Sequence, residues 1–198
     1  GNIMGTLFVD KLDPQSGTSL EIGSSGDTMT VPSGATFNVA GTLQSGGAAV
    51  ANTPAFEAKL GSDMNVTDNA QTKVTCGTEV YDTDNAYDNS TNYRFTPQTA
   101  GKYYVYGGVG SITDTSKLKE SRAMIYKNGS RYRTSTSDPR DNYGYHYNNY
   151  VAAVVDMNGS SDYVELYGLT NKEGGTDCKI TKSHEDSTYF GAYRIITW

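Results

Sequence analysis

Residues 150–169, YVAAVVDMNGSSDYVELYGL, decide the fold class. Val151, Ala153 and Val155 alternate with Ala152, Val154 and Asp156, and Val164 and Leu166 resume the alternation after a polar break. Successive side chains of a strand point to opposite faces, so a period of two buries one face of each strand. Two packed antiparallel sheets require that arrangement. The break Asn158-Gly159, like Asn128-Gly129 upstream, has a composition that tolerates positive φ, and both are read as turns between paired strands.

Working outward, further strands are predicted at Ala55 to Leu60, Lys73 to Val80, Tyr93 to Thr96, Lys102 to Val109, Arg122 to Lys127, Arg131 to Thr134 and Tyr189 to Thr197, beside Tyr150 to Met157 and Tyr163 to Leu169. These are too many for one flat sheet, and an all-β antiparallel jelly-roll sandwich is the natural class. Composition agrees. The 198 residues include 22 Gly and 16 Tyr against five Phe and one Trp, a mixture that favours short strands and tight turns over helices.

The leader, residues 1–52, differs in texture from the head, residues 53–198. Leu20/Ile22, Met29/Val31 and Phe37/Val39 are apolar pairs separated by Gly, Ser or Pro turns, and each reads as a very short strand with one face to bury. Such a β-rung stalk cannot dry its apolar face from one copy, whereas three chains around an axis cover it and close the strand edges. A Gly/Ser-rich leader without regular structure is the alternative reading. Residues 45–52, SGGAAVAN, form the connector.

Charge and chemistry narrow the function. A formal net charge of −6 repels a phosphate backbone, which argues against nucleic acid as a partner. Asp10, Lys11 and Asp13 interrupt the N-terminal stretch, so neither a signal peptide nor a membrane span is read there, and no membrane insertion is expected. Cys76 and Cys178 are too few for a disulfide framework; a bridge between them and two free thiols both remain open. Of His146 and His184, neither accompanies a glycine-flanked serine of the kind a hydrolytic triad needs. Ser183-His184-Glu185-Asp186 is contiguous, and in an extended segment its side chains diverge. Asp82 to Asn89 begins like a calcium loop, but Tyr87 stands where the loop needs glycine and Tyr93 where it needs glutamate, which favours an acidic turn. The Asn-X-Ser/Thr triplets at Asn65, Asn89, Asn128 and Asn158 are explained by turn chemistry. No catalytic residue, metal or cofactor is assigned.

From Thr53 onward the order of landmarks resembles the globular head of the complement C1q and tumour necrosis factor superfamily. Pro54-Ala55-Phe56 opens the head, followed by Tyr87-Asp88, Phe95-Thr96-Pro97, Ala100-Gly101-Lys102-Tyr103-Tyr104, Ile125-Tyr126-Lys127-Asn128-Gly129, Tyr163-Val164-Glu165-Leu166 and Tyr189-Phe190-Gly191-Ala192-Tyr193. The resemblance implies a tight homotrimer, with the sheet that carries the first and last strands facing the three-fold axis. Under it, Ala55 to Leu60, Lys102 to Val109, Tyr150 to Val155 and Tyr189 to Ile196 supply the contact between subunits. A rung-like leader before such a head is similar to bacteriophage fibre proteins. That similarity implies a non-enzymatic virion surface protein, with the leader meeting other virion proteins and the head meeting a host-surface glycan or protein. A capsid decoration protein without receptor binding, and a carbohydrate-active hydrolase, are the alternatives.

Residues 138–150, DPRDNYGYHYNNY, are the candidate receptor segment: Tyr143, Tyr145, His146, Tyr147 and Tyr150 combine rings that stack on sugars with directional hydrogen bonding. The competing reading is that Tyr143, Tyr145 and Tyr147 alternate along a strand edge and line the trimer interface.

Overall fold

A computed structural model of the chain describes residues 11–45, 48–115, 117–174 and 177–196. The chain divides into two units, residues 1–42 and 43–198. In the first, residues 11–42 carry turns and bends but no strand. Its alternating apolar side chains lie open in the single chain, with Ile22 64%, Met29 61% and Phe37 59% exposed.

The second unit is built of antiparallel strands. After a small hairpin of β1 (Gln44–Ser45) and β2 (Ala48–Ala49) come β3 (Ala55–Lys59), β4 (Met64–Asn65), β5 (Thr72–Lys73), β6 (Thr78–Asp82), β7 (Tyr87–Asp88) and β8 (Arg94–Phe95). The longer strands β9 (Gly101–Thr113), β10 (Leu118–Lys127), β11 (Ser130–Ser137), β12 (His146–Met157) and β13 (Val164–Lys172) follow. Then β14 (Cys178–Thr181), the single turn α1 (Ser183–Asp186) and β15 (Tyr189–Arg194) complete it.

Two sheets face each other. One runs β4-β14-β9-β15-β3-β6, and β12 pairs along the other edge of β9. Strand β9 is long enough for β15 and β14 to share one edge, at Tyr103 to Gly108 and Gly110 to Thr113. The other sheet runs β11-β10-β13-β8-β7, with β5 also on β13. The first and last strands of the head, β3 and β15, share this first sheet, as the family resemblance implies, and pair with each other in it.

The core differs from end to end. At the start of β9, Phe56 stacks on Tyr87 (4.3 Å between centroids) and on Phe95 (4.7 Å), with Phe190 and Tyr103 edge-on nearby. Towards the other end of β9 the core is polar. Ser111, Ser121 and Thr170 are fully buried and Asn149 nearly so. Ser121 Oγ and Thr170 Oγ1 donate to Ser111 Oγ (2.7 and 3.0 Å), while Asn149 Nδ2 donates to Ser121 Oγ (2.7 Å) and Ser137 Oγ to Asn149 Oδ1 (2.9 Å). A buried polar group without a partner costs about 1–3 kcal/mol, so each hydroxyl here holds its neighbour in place.

Several local expectations change. The segment Lys73 to Val80 is not one strand: β5 joins β13 and β6 joins β3, because the chain crosses between sheets at residues 74–77. Asn128-Gly129 is a hairpin turn, with φ of 50° and 76°. Asn158-Gly159 is not, since β12 and β13 lie in different sheets; Asn158 Oδ1 instead accepts from the amides of Ser160, Ser161 and Asp162 at 2.9–3.0 Å. Residues 183–186 form a helical turn rather than an extended segment. The side chains of His184 and Glu185, and the last residue of the expected strand to Thr197, lie outside the described residues. Cys76 and Cys178 are free thiols, both buried.

Candidate functional site

Alternation along β9 turns Tyr103, Val105 and Val109 into the core and Tyr104 and Tyr106 out of the sandwich. On β15, Phe190 and Ala192 point in, leaving Tyr189, Gly191 and Tyr193 outside. On β12, Val151, Ala153 and Val155 point in, leaving Tyr150, Ala152 and Val154 outside. The outer face of one sheet therefore collects tyrosines from three adjacent strands. Ring centroids lie 5.5 Å apart for Tyr104 and Tyr193, 6.0 Å for Tyr104 and Tyr106, 6.2 Å for Tyr106 and Tyr189, and 6.4 Å for Tyr150 and Tyr189.

Glycines set the height of these rings. Side chains at Gly108 and Gly191 would collide with the rings of Tyr189 and Tyr106, so both tyrosines lie low on the sheet. Between Tyr104, Tyr106, Tyr150, Ala152 and Tyr189 runs a shallow apolar groove of about 370 Å³. Tyr106 Oη donates to Glu57 Oε2 at 2.8 Å, which ties β9 to β3 across the face. Burial, and then the Glu57 carboxylate that accepts its proton, hold the Tyr106 phenol well above the ordinary range; burial also raises Tyr189. These two phenols keep their protons, and the face offers aromatic surface and hydroxyl hydrogen bonds. Tyr150 is 60% and Val154 48% exposed on the same face.

The candidate receptor residues do not converge on one place. Tyr150 belongs to the tyrosine face. Tyr143 precedes β12 and lines a separate polar groove of about 420 Å³, together with Glu120, Asp141 and Asn171. Tyr145 is exposed ahead of β12, His146 is its first residue and half-buried, and the half-buried Tyr147 ring packs over Gly144. Tyr143 and Tyr145 therefore precede the strand, so the alternation expected for Tyr143, Tyr145 and Tyr147 along a strand edge is not formed. Tyr104, Tyr106, Tyr189 and Tyr193 were not among the receptor candidates; their signal is the spacing of two and four within apolar strands.

The acidic turn spends its carboxylates on the chain itself. Asp82 accepts from the amides of Asp84 (3.2 Å) and Tyr87 (2.8 Å). Asp88 accepts from the amides of Ser90, Thr91 and Asn92 and from the Asn92 carboxamide, which holds its carboxyl far below the usual range. Among the described residues no group of His, Cys, Asp and Glu is arranged to hold a metal ion.

With two facing antiparallel sheets and β3 beside β15, the architecture can be compared with solved structures. The fold is an all-β antiparallel sandwich of two sheets, shared with a solved structure. A crystal structure of murine APRIL at pH 5.0 superposes with a TM-score of 0.51 at 12% identity, over 71% of this chain and 98% of that one. The globular domain of zebrafish complement 1qA protein aligns at a TM-score of 0.48 and 14% identity, over 72% of this chain and 96% of that one. No protein-family model and no curated protein matches the sequence.

Proposed function

We propose that this chain is a non-enzymatic surface protein of a virion, a homotrimeric fibre whose jelly-roll head contacts the host surface. The observation that carries the assembly part is the tyrosine face: rings from β9, β12 and β15 gathered on one outer sheet face, with Tyr106 and Tyr189 seated low by glycines and Tyr150 and Tyr193 exposed in the single chain. Large aromatic rings with a polar tip suit a buried interface with a wet rim. The open apolar pairs of the leader, Leu20/Ile22, Met29/Val31 and Phe37/Val39, give a second reason for several copies to join. The virion setting rests on the likeness in sequence of a leader with repeated apolar pairs, followed by such a head, to phage fibres. A capsid decoration protein is the rival, and copy number separates the two.

Imaging of intact particles with an antibody against the head tests the setting. Labelling at fibre tips, together with binding of the purified full chain to host cells, is the expected result. Labelling over the whole shell without cell binding would favour decoration, and absence from particles would overturn both.

A further inference from the structure

The second groove lies on the outer side of the other sheet, where Glu120 of β10 stands opposite Asn171 of β13 and the segment 138–143 forms a wall. We infer that it is a saccharide site for neutral or amino-bearing hexoses, with Asn171, Asp141 and Tyr143 as its contacts. This rests on the reading of the head as a host-recognition module and names the ligand class it takes.

The observation that points to a ligand is Asn171. Its side chain is nine-tenths buried, lines the groove, and its carboxamide has no hydrogen-bond partner among the described residues. The carboxamide opens into the groove, where it retains both donor and acceptor capacity for a ligand hydroxyl. Asp141, on the rim, likewise has no hydrogen-bond or ion-pair partner among the described residues, and a carboxylate can accept two sugar hydroxyls at once. Tyr143 is half-buried and lines the groove, and among the described residues no ring stacks on it, so its face can meet a pyranose. The volume, about 420 Å³, falls within the range of about 300–1,000 Å³ typical of small-molecule sites.

Charge selects the class of sugar. Each cation of the groove already faces a carboxylate: Lys119 with Glu173 at 3.0 Å and Arg140 with Asp138 at 4.0 Å. Glu120 is paired with Arg122 at 2.5 Å. Asp141 is the charge left over, so a carboxylated or sulfated sugar meets repulsion, while a neutral hydroxyl pair or an ammonium group meets an acceptor.

The test is binding of the full chain to an array holding neutral and amino-hexose oligosaccharides beside sialylated and sulfated ones. The expected result is retention on a neutral or amino-hexose glycan, reduced at least tenfold by Asn171→Ala and by Tyr143→Ala, while both variants keep the wild-type assembled mass and melting temperature. Asn171→Asp serves as the second variant should the alanine disturb the fold, and it too is expected to lower binding. Retention only on acidic glycans, or undiminished binding by variants that fold, overturns the inference. So does a silent array; if the chain still binds host cells stripped of glycans, recognition stands and this groove is not its site.

Discussion

The Tyr106 ring lies across Gly191: a Cβ on that glycine would sit 2.4 Å from the ring's Cζ. The two residues are partners in the β9–β15 ladder, so the ring fills the space that a cross-strand side chain would take. The backbone at Gly191 is not in the left-handed region, so alanine fails there for lack of room, not for lack of conformational freedom.

Gly191→Ala is expected to lift Tyr106 from the sheet and break its bond to Glu57. Overpacking of this kind costs about 1–3 kcal/mol in folding. The larger effect is expected on assembly, since the raised ring disturbs the whole face. Light scattering across a dilution series, beside urea unfolding, checks both; an unchanged assembled mass would count against the role given to the face.

The polar end of the core gives a second expectation. Ser121→Ala removes the acceptor of Asn149 and the donor to Ser111 in a site without water access, at a cost of about 1–3 kcal/mol. Ser137→Ala, at the half-exposed end of the same chain of bonds, is expected to cost less. Paired urea melts decide the order.

Burial raises the Cys76 and Cys178 thiols from 9.0 to about 12, and the Tyr103 phenol from 10.0 to about 12. Each group keeps its proton in the folded chain at a pH where the unfolded chain has lost it. Stability from this source is therefore complete below about pH 9 and falls as pH rises from 9 towards 12. Thermal melts should hold steady from pH 7 to 9 and then decline, and removing both thiols with Cys76→Ala/Cys178→Ala should delay the onset. A thiol reagent should titrate no cysteine in the native chain and two in denaturant, with or without reductant.

How much of this was legible in the sequence depends on where the period of two survives. It is clean in β12, where Val151, Ala153 and Val155 alternate with outward residues, and the strand and its buried face follow directly. In β9 the glycines at 107, 108 and 110 lie inside a strand that continues to Thr113, beyond the expected end at Val109; what keeps it extended is pairing on both edges, which is tertiary. Strand β14 is four residues in a polar stretch and exists because β9 offers it a free edge. The receptor segment reads as one cluster of aromatic residues, yet β12 begins at His146, which sends Tyr150 to the tyrosine face and leaves Tyr143 with the other groove. The Asn171 floor had no local signal, since only the β10–β13 pairing places it beside Glu120.

Two tyrosines separate assembly from recognition. Tyr150→Asp places a charge on the most exposed ring of the face, where burial of an unpaired carboxylate is costly, and is expected to yield single chains. Tyr145→Ala removes an exposed ring outside that face and is expected to leave the assembled mass unchanged. Gel filtration of the two variants side by side reads the difference.

Sedimentation equilibrium of the wild-type chain bears most directly on the claim that the tyrosine face is completed by other copies. A single species at three times the mass of one chain is expected, dissociating when Tyr150 is replaced by Asp. A wild-type protein that stays at the mass of one chain throughout the concentration range would contradict it.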